Sequence, residues 1–299
     1  MQPTKTRTLL SSTRPPFLVL TPACVLLGIA TAYFAGSALN IIDICLLLIG
    51  ALSAHISVNS LNEYHDFISG LDAKTVRTPF SGGSGALVTQ PSAATAVRTL
   101  GYFFLAITMS TGLYFAYQHG SMILPFGLLG IVIILTYTPV LNHYPVLCLL
   151  APGIGFGPLM VGGTHVILSG NYNETAILAS LVPMFLVSNL LLLNQYPDIE
   201  ADKSVGRKHF PIAYGVKRST QMYGLFVLLA AATLIAGVLI QALPVFSLAA
   251  LLPLIPAAAA YIGARNHANN IEALTPFLAM NVIAAIVTPI ILSLALIFS

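Results

Sequence analysis

Apolar runs long enough to cross a bilayer recur along this 299-residue chain, separated by short polar clusters, and they restrict its fold more than any other feature. Only 7% of its residues are charged and 57% are hydrophobic, against about 25% charged in an ordinary soluble protein. The composition is that of an integral membrane protein. A chain of this length accommodates eight to ten helices of about 20 residues each, joined by short loops, as one compact membrane domain. The net charge of +3 is small, and nothing in it suggests a nucleic-acid partner.

Cutting the hydropathy at Pro, Gly and polar clusters predicts nine spans, near 17–36, 41–61, 93–117, 122–141, 144–168, 175–195, 220–242, 245–264 and 271–298. Lys5, Arg7 and Arg14 precede the first run; that run continues for about 20 residues, longer than the core of a signal peptide, and is read as a membrane helix. With the N-terminus inside, all 12 Lys and Arg fall on the inner side, which is the positive-inside pattern. The expected localisation is a cell membrane, multi-pass, with the N-terminus cytoplasmic. Cys24, Cys45 and Cys148 lie in apolar runs without metal-ligand spacing and read as free thiols. Trp is absent, leaving interfacial anchoring to 12 Tyr and 15 Phe.

Scarce charge gathers twice. Leu61–Gly85 carries Asn62, Glu63, Asp66, Asp72, Lys74 and Arg77; Asn194–Lys208 carries Asn194, Asp198, Asp202, Lys203, Arg207 and Lys208. Each cluster follows an even-numbered span, on the expected cytoplasmic side, and the two Asn lie 132 positions apart. Such repetition, with halves near 17–141 and 144–299, suggests a site at the repeat interface. A central cavity between the halves, open to the cytoplasmic side, is the expected architecture.

Asn62 and Asp66 are four apart and share a helix face. Gly70 offers a helix end after which Asp72 can fold back toward Asp66. Asn194, Asp198 and Asp202 form a second stripe, which Pro197 should bend or interrupt. These six are oxygen ligands with no His or Cys, suiting Mg²⁺, which takes one or two carboxylates together with phosphate oxygens. Two Asp-rich ends facing one another would hold a diphosphate through bridging ions, with Lys74, Arg77, Lys203, Arg207 and Lys208 neutralising phosphate oxygens. A diphosphate on a long hydrocarbon tail explains why the site sits in a membrane bundle.

The pair Asn62-xxx-Asp66-xxxxx-Asp72 and Asn194-xxx-Asp198-xxx-Asp202, on a chain of nine predicted helices, resembles the UbiA superfamily of intramembrane prenyltransferases, over nearly the whole length. The resemblance implies an all-α bundle and transfer of a polyprenyl chain from its diphosphate to an aromatic or lipid acceptor. It also implies Mg²⁺, as two ions on Asp66, Asp72, Asp198 and Asp202 with Asn62 and Asn194 in support. Tyr64, Tyr137 and Tyr196 are candidates to stabilise an allylic cation, and Tyr137-Thr138 resembles a pocket-lining pair of the family. Asn62-x-Tyr64-x-Asp66-Phe67-xx-Gly70-x-Asp72 is most similar to the branch acting on 1,4-dihydroxy-2-naphthoate. The acceptor stays open, because Gly153–Gly157 lacks the acid of that branch and Arg77–Gly83 resembles a loop of others.

Three alternatives stand beside this expectation: prenylation of a glycerol lipid, cyclisation of the prenyl chain, and a prenyl-lipid transporter or binding protein without chemistry. His55 and His165 lie within spans, where a neutral imidazole bonded to backbone is the commoner case, although intramembrane ionisable groups also mark functional paths. His65 and His209 lie beside the clusters, where solvated loop positions and phosphate contacts are both open. Ser81–Gly85 reads as a flexible hinge.

Overall fold

The computed structural model describes residues 4–299, and no strand occurs among them. The helices are α1 Lys5–Ser12, α2 Leu20–Phe34, α3 Ile41–Ile68, α4 Ala86–Thr89, α5 Ala94–His119, α6 Leu124–Thr136 and α7 Pro145–Ile154. After a widened π-helical stretch, Gly155–Gly162, come α8 Gly163–Ser169, α9 Glu174–Asn194, α10 Ile199–Ser204, α11 Phe210–Leu239, α12 Leu254–His267 and α13 Ile271–Ile297. In hydrocarbon every backbone polar group must be satisfied within the protein, which makes this all-helical solution the natural one for such a sequence.

Among the described residues, seven helical runs are long and apolar enough to cross a membrane: 41–68, 91–119, 145–169, 174–194, 210–239, 245–267 and 271–297. Lys5–Phe17 and Leu20–Phe34, bent by 48° from each other, together make an eighth of that kind, and the apolar helix Ser121–Thr136 is shorter. Several ends differ from the sequence cut. The α3 helix runs on past Leu61 to Ile68, carrying Asn62 and Asp66 with it. The α11 helix starts at Phe210 rather than Thr220, because a break at Gly215 (φ 80°, ψ 161°) lets Phe210–Tyr214 coil first.

Asparagines set the starts of three long helices: Asn40 accepts from Ile42 N at 2.9 Å, Asn173 from Ala176 N at 2.9 Å and Asn270 from Ala273 N at 3.1 Å. Each satisfies one amide that the first helical turn leaves open. Core packing is concentrated on one side of the bundle, where α2, α9, α11 and α13 meet around Leu27, Leu186, Leu234 and Leu292. Gly153 and Gly157, one turn apart, let α7 and the π stretch lie directly on α9; a methyl at either would overlap the carbonyl oxygens of Met184 and Ser180. Small residues at this spacing are a common means of close helix approach in membranes. By contrast, α5 and α6 expose Phe103, Leu113, Leu128 and Val132 and build only small satellite cores against α3. Between the two regions lies a cavity of about 400 Å³.

Candidate functional site

Both Asp clusters reach one end of this cavity. In the first, Ser69 ends α3 and Gly70 takes a left-handed turn, φ +75°. The amides of Leu71 and Asp72 then both point at the carbonyl of Asp66, at 3.1 and 3.4 Å. That reversal carries Asp72 back beside Asp66, as the Gly70 signal predicts. In the second, α9 stops at Asn194 and α10 begins at Ile199, with Pro197 in the intervening turn. Asp202 N reaches Asp198 O at 2.8 Å, restarting the helix with Asp198 at its head.

Side-chain contacts tie the two clusters together across 141 residues: Arg207 pairs through one nitrogen with Asp66 and through the other with Asp202 Oδ1 at 2.8 Å. Asp202 Oδ2 lies 2.9 Å from His209 Nε2. The loop after Asp72 crosses the same gap: Gly82 N donates to Asp198 Oδ2 at 3.1 Å, and Lys74 Nζ to Ser204 Oγ at 3.2 Å.

A buried knot underlies that loop. Glu63, fully buried, accepts from Arg14 Nε at 2.9 Å and from the amide and hydroxyl of Ser84, each at 2.7 Å. Arg14 also donates to Asn62 Oδ1 at 2.9 Å, while Asn62 Nδ2 donates to Thr138 Oγ1 at 3.0 Å. Arg14 sits in the left-handed region (φ 52°), immediately before Pro15-Pro16, where the chain bends between α1 and α2.

The electrostatics follow from burial. Asp72 is raised to about 7, first by burial and then by Glu63 and Asp66. Asp198 is likewise raised to about 7, by burial and then by Asp202. Burial works against the charge of Arg207, yet Asp66 and Asp202 hold its pKa above the ordinary guanidinium value.

Three oxygens, Asp72 Oδ2, Asn194 Oδ1 and Asp198 Oδ1, are enclosed and have no hydrogen-bond partner. Buried oxygens of this kind call for a donor or a cation. No group of three His, Cys, Asp or Glu among the described residues is placed to hold a metal ion by itself. That is compatible with Mg²⁺, which draws part of its shell from phosphate and water. The donor set therefore fits a hard divalent ion that arrives with a phosphate ligand.

Of the residues singled out in the sequence, Asn62, Asp66, Asp72, Asn194, Asp198 and Asp202 line the cavity, as do Arg207 and Tyr137. Thr138 stands behind Asn62. Lys74, Arg77, Lys203 and Lys208 are exposed and do not line the cavity, and Arg77 Nη2 donates to the Asp72 carbonyl at 2.6 Å. Tyr64 and Tyr196 are not brought to the cavity. Tyr64 is two positions from both Asn62 and Asp66, hence on the other side of α3, and lies under Arg98, 5.3 Å from its ring centre. Tyr196 is buried in the α9–α11 core, bonded to Thr220 Oγ1 at 2.9 Å.

Arg14 and Glu63 are not assigned to the site in the sequence, and His209 only as one of two open readings, a phosphate contact or a solvated loop position. The proline pair after Arg14 and the position of Glu63 inside the first cluster were the available signals; His209 Nε2 could be placed on Asp202 only by the fold.

Known proteins bear on this geometry in two ways. Residues 19–283 match the model of the UbiA prenyltransferase family. The 1,4-dihydroxy-2-naphthoate octaprenyltransferase of Bacillus subtilis (strain 168) is 31% identical over 208 residues, 69% of this chain and 65% of that protein. The chain thus aligns with somewhat less than two thirds of the relative's length. Among solved structures, the apo form of a UbiA homolog from Aeropyrum pernix K1 superimposes with a TM-score of 0.69 at 18% identity, covering 93% of this chain and 97% of that one. A UbiA homolog from Archaeoglobus fulgidus bound to GPP and Mg²⁺ gives a TM-score of 0.65 at 18% identity, covering 98% and 100%. On the family match over most of its length, together with the fold, the chain belongs to the UbiA prenyltransferase family.

Proposed function

We propose that the chain is a Mg²⁺-dependent intramembrane prenyltransferase that moves a polyprenyl group from its diphosphate to an aromatic acceptor, 1,4-dihydroxy-2-naphthoate or a related quinone precursor. One observation carries the reading: two Asp-rich motifs converge on one end of a cavity whose remaining walls are mostly apolar. A head requiring cations and a tail requiring hydrocarbon fit that division. The prenyl diphosphate and the divalent ion are further supported by the Archaeoglobus homolog's GPP and Mg²⁺, and the acceptor by the Bacillus relative.

Asp72, Asp198 and Asn194 offer unpartnered oxygens, and Asp66 and Asp202 complete the proposed ligand set once Arg207 turns to phosphate. When bound, Mg²⁺ supplies neutralisation of the charge developing on the leaving diphosphate. Arg207 and the exposed Lys74, Arg77, Lys203 and Lys208 add donors at the same place. The bond between the prenyl C1 and its phosphate oxygen breaks, and the electron pair leaves with the diphosphate. A ring carbon of the acceptor then forms the new bond to C1. The acceptor's displaced substituent leaves without its bonding electrons, as a proton from a phenol-type ring or with loss of carbon dioxide from a carboxylated one. The apolar walls keep water from intercepting the cation, and the Tyr137 ring lines the space where it forms.

In this reading the bundle holds nine spans in two related halves, with the N-terminus and both Asp motifs on the cytoplasmic face. Product analysis by mass spectrometry tests it, using purified protein, Mg²⁺, geranylgeranyl diphosphate, and dihydroxynaphthoate, 4-hydroxybenzoate, homogentisate and a glycerol phosphate lipid in turn. A prenylated aromatic product that disappears in Asp66→Ala and in Asp198→Ala is the expected result. Hydrocarbon release without acceptor would instead indicate a cyclase.

A further inference from the structure

The α3 wall of the cavity stays polar for longer than a diphosphate head requires. His55, Asn59, Asn62 and Asp66 follow at intervals of four, three and four, one helix face, and all four line the cavity. From Asp66 to His55 this stripe covers about 16 Å of helix at 1.5 Å per residue. Beyond His55 the same face turns to Ala51 and Leu47.

The polar atoms on this stripe are only partly used. Asn62 gives its amide to Thr138 and takes Arg14 on its oxygen. Asn59 Nδ2 donates to the Thr13 carbonyl at 2.9 Å, and His55 Nδ1 meets Thr21 Oγ1 at 2.8 Å. The His55 ring is further held edge-on by Phe156, 4.9 Å between centres. Among the described residues Asn59 Oδ1 and His55 Nε2 have no hydrogen-bond partner, neither is a fully enclosed atom, and both residues line the cavity.

Thr108 and Thr111, on the α5 wall, behave differently: each hydroxyl donates to a carbonyl of its own helix, at 3.0 and 3.1 Å, which uses up its polarity locally. A hydrocarbon tail laid against His55 and Asn59 would leave two polar groups unpaired, whereas the walls offered by Ile131, Ile134 and Leu159 suit it.

We propose that His55 Nε2 and Asn59 Oδ1 form the subsite for oxygen substituents of a hydroxylated aromatic acceptor. The inference rests on the prenyl-transfer reading above. With its reactive carbon near Asn62, a two-ring acceptor carries its far substituents along α3. A ring hydroxyl then donates to Asn59 Oδ1 or exchanges a hydrogen bond with His55 Nε2. The prenyl tail follows the apolar wall of Ile131, Ile134 and Leu159. Thr21 and Phe156 fix the imidazole from behind, which makes the imidazole plane a determinant of which acceptor is accepted.

The test is steady-state kinetics on the full-length protein with geranylgeranyl diphosphate and 1,4-dihydroxy-2-naphthoate, repeated with 1-hydroxy-2-naphthoate. His55→Leu is expected to raise the acceptor KM about tenfold, the size of one lost hydrogen bond, with the prenyl diphosphate KM unchanged. His55→Gln should recover most of the loss, and the single-hydroxyl acceptor should show a smaller difference between wild type and His55→Leu. Thr21→Val, which keeps the ring but frees it, should raise the acceptor KM by a smaller factor and provides the measurement if His55→Leu does not fold. An unchanged acceptor KM, or a rise confined to the prenyl diphosphate KM, overturns the subsite while leaving transfer intact. Titration of the acceptor alone, without diphosphate, separates the two readings: weaker binding to His55→Leu in a protein that forms no prenylated product sinks the transfer reading and keeps the subsite.

Discussion

Asp72 and Asp198 carry the pH dependence of the site. Both are held at about 7 by burial and by neighbouring carboxylates, so on the acid side of neutrality each retains a proton that an unfolded carboxyl has lost. A divalent cation must displace those protons. Its apparent affinity should therefore climb as pH rises through about 7 and level off above, with proton release visible as a dependence of the calorimetric enthalpy on the buffer. The linkage to folding has the opposite sign: without the cation, the stability these groups contribute is full below the ordinary carboxylate range and is lost as pH rises through about 7. Glu63 is a structural counterpart. Glu63→Gln leaves Arg14 without its carboxylate and should cost about 2–3 kcal/mol, somewhat less than a wholly buried pair because the Arg14 side chain keeps 26% exposure. Thermal melting, together with faster proteolysis of the 73–85 loop that Ser84 anchors, checks it.

Two element-level devices position these residues. The Gly70 turn folds Asp72 onto Asp66; with φ at +75° and open space around its Cα, Gly70→Ala carries strain without a clash. It should lose about 1–2 kcal/mol of stability and weaken cation binding more than distant changes of equal stability cost, measured by titration with Mn²⁺. The approach of α7 and the π stretch to α9 is the second device. Gly157→Ala pushes a methyl into α9 backbone and should destabilise by about 1–3 kcal/mol, whereas Gly155→Ala, two positions earlier with nothing within 4 Å, should melt like wild type. Equal melting temperatures for the two variants would remove this account of the glycine-rich segment. The same segment explains a feature of the sequence: Gly153 and Gly157 serve helix packing, not the chemistry that a glycine-rich stretch near a site suggests.

Across the whole molecule, the cavity runs from the Asp motifs to Leu46 on α3, about 30 Å of helix, comparable with the hydrocarbon thickness of a bilayer. Gly127 on α6 lines it with no neighbour near its Cα. Gly127→Leu should shift preference toward shorter prenyl diphosphates, read as the ratio of products in a mixed-donor assay; an unchanged ratio would place the tail elsewhere. Much of this architecture was legible in the chain itself. Apolar runs of membrane-spanning length leave helices as the economical solution, Gly70 and Pro197 punctuate the two Asp motifs, and the spacing of Asn62 and Asp66 places them on one face, because these are local properties of backbone sterics and helical period. Other features depended on contacts between residues far apart in the chain. That Arg207 spans Asp66 and Asp202, that Arg14 and Glu63 brace the loop, that Tyr196 turns away, and that His55 faces the cavity were decided only by the tertiary structure. A side chain's partner across 49 or 141 residues follows from how helices pack, and no local rule of sequence contains that packing.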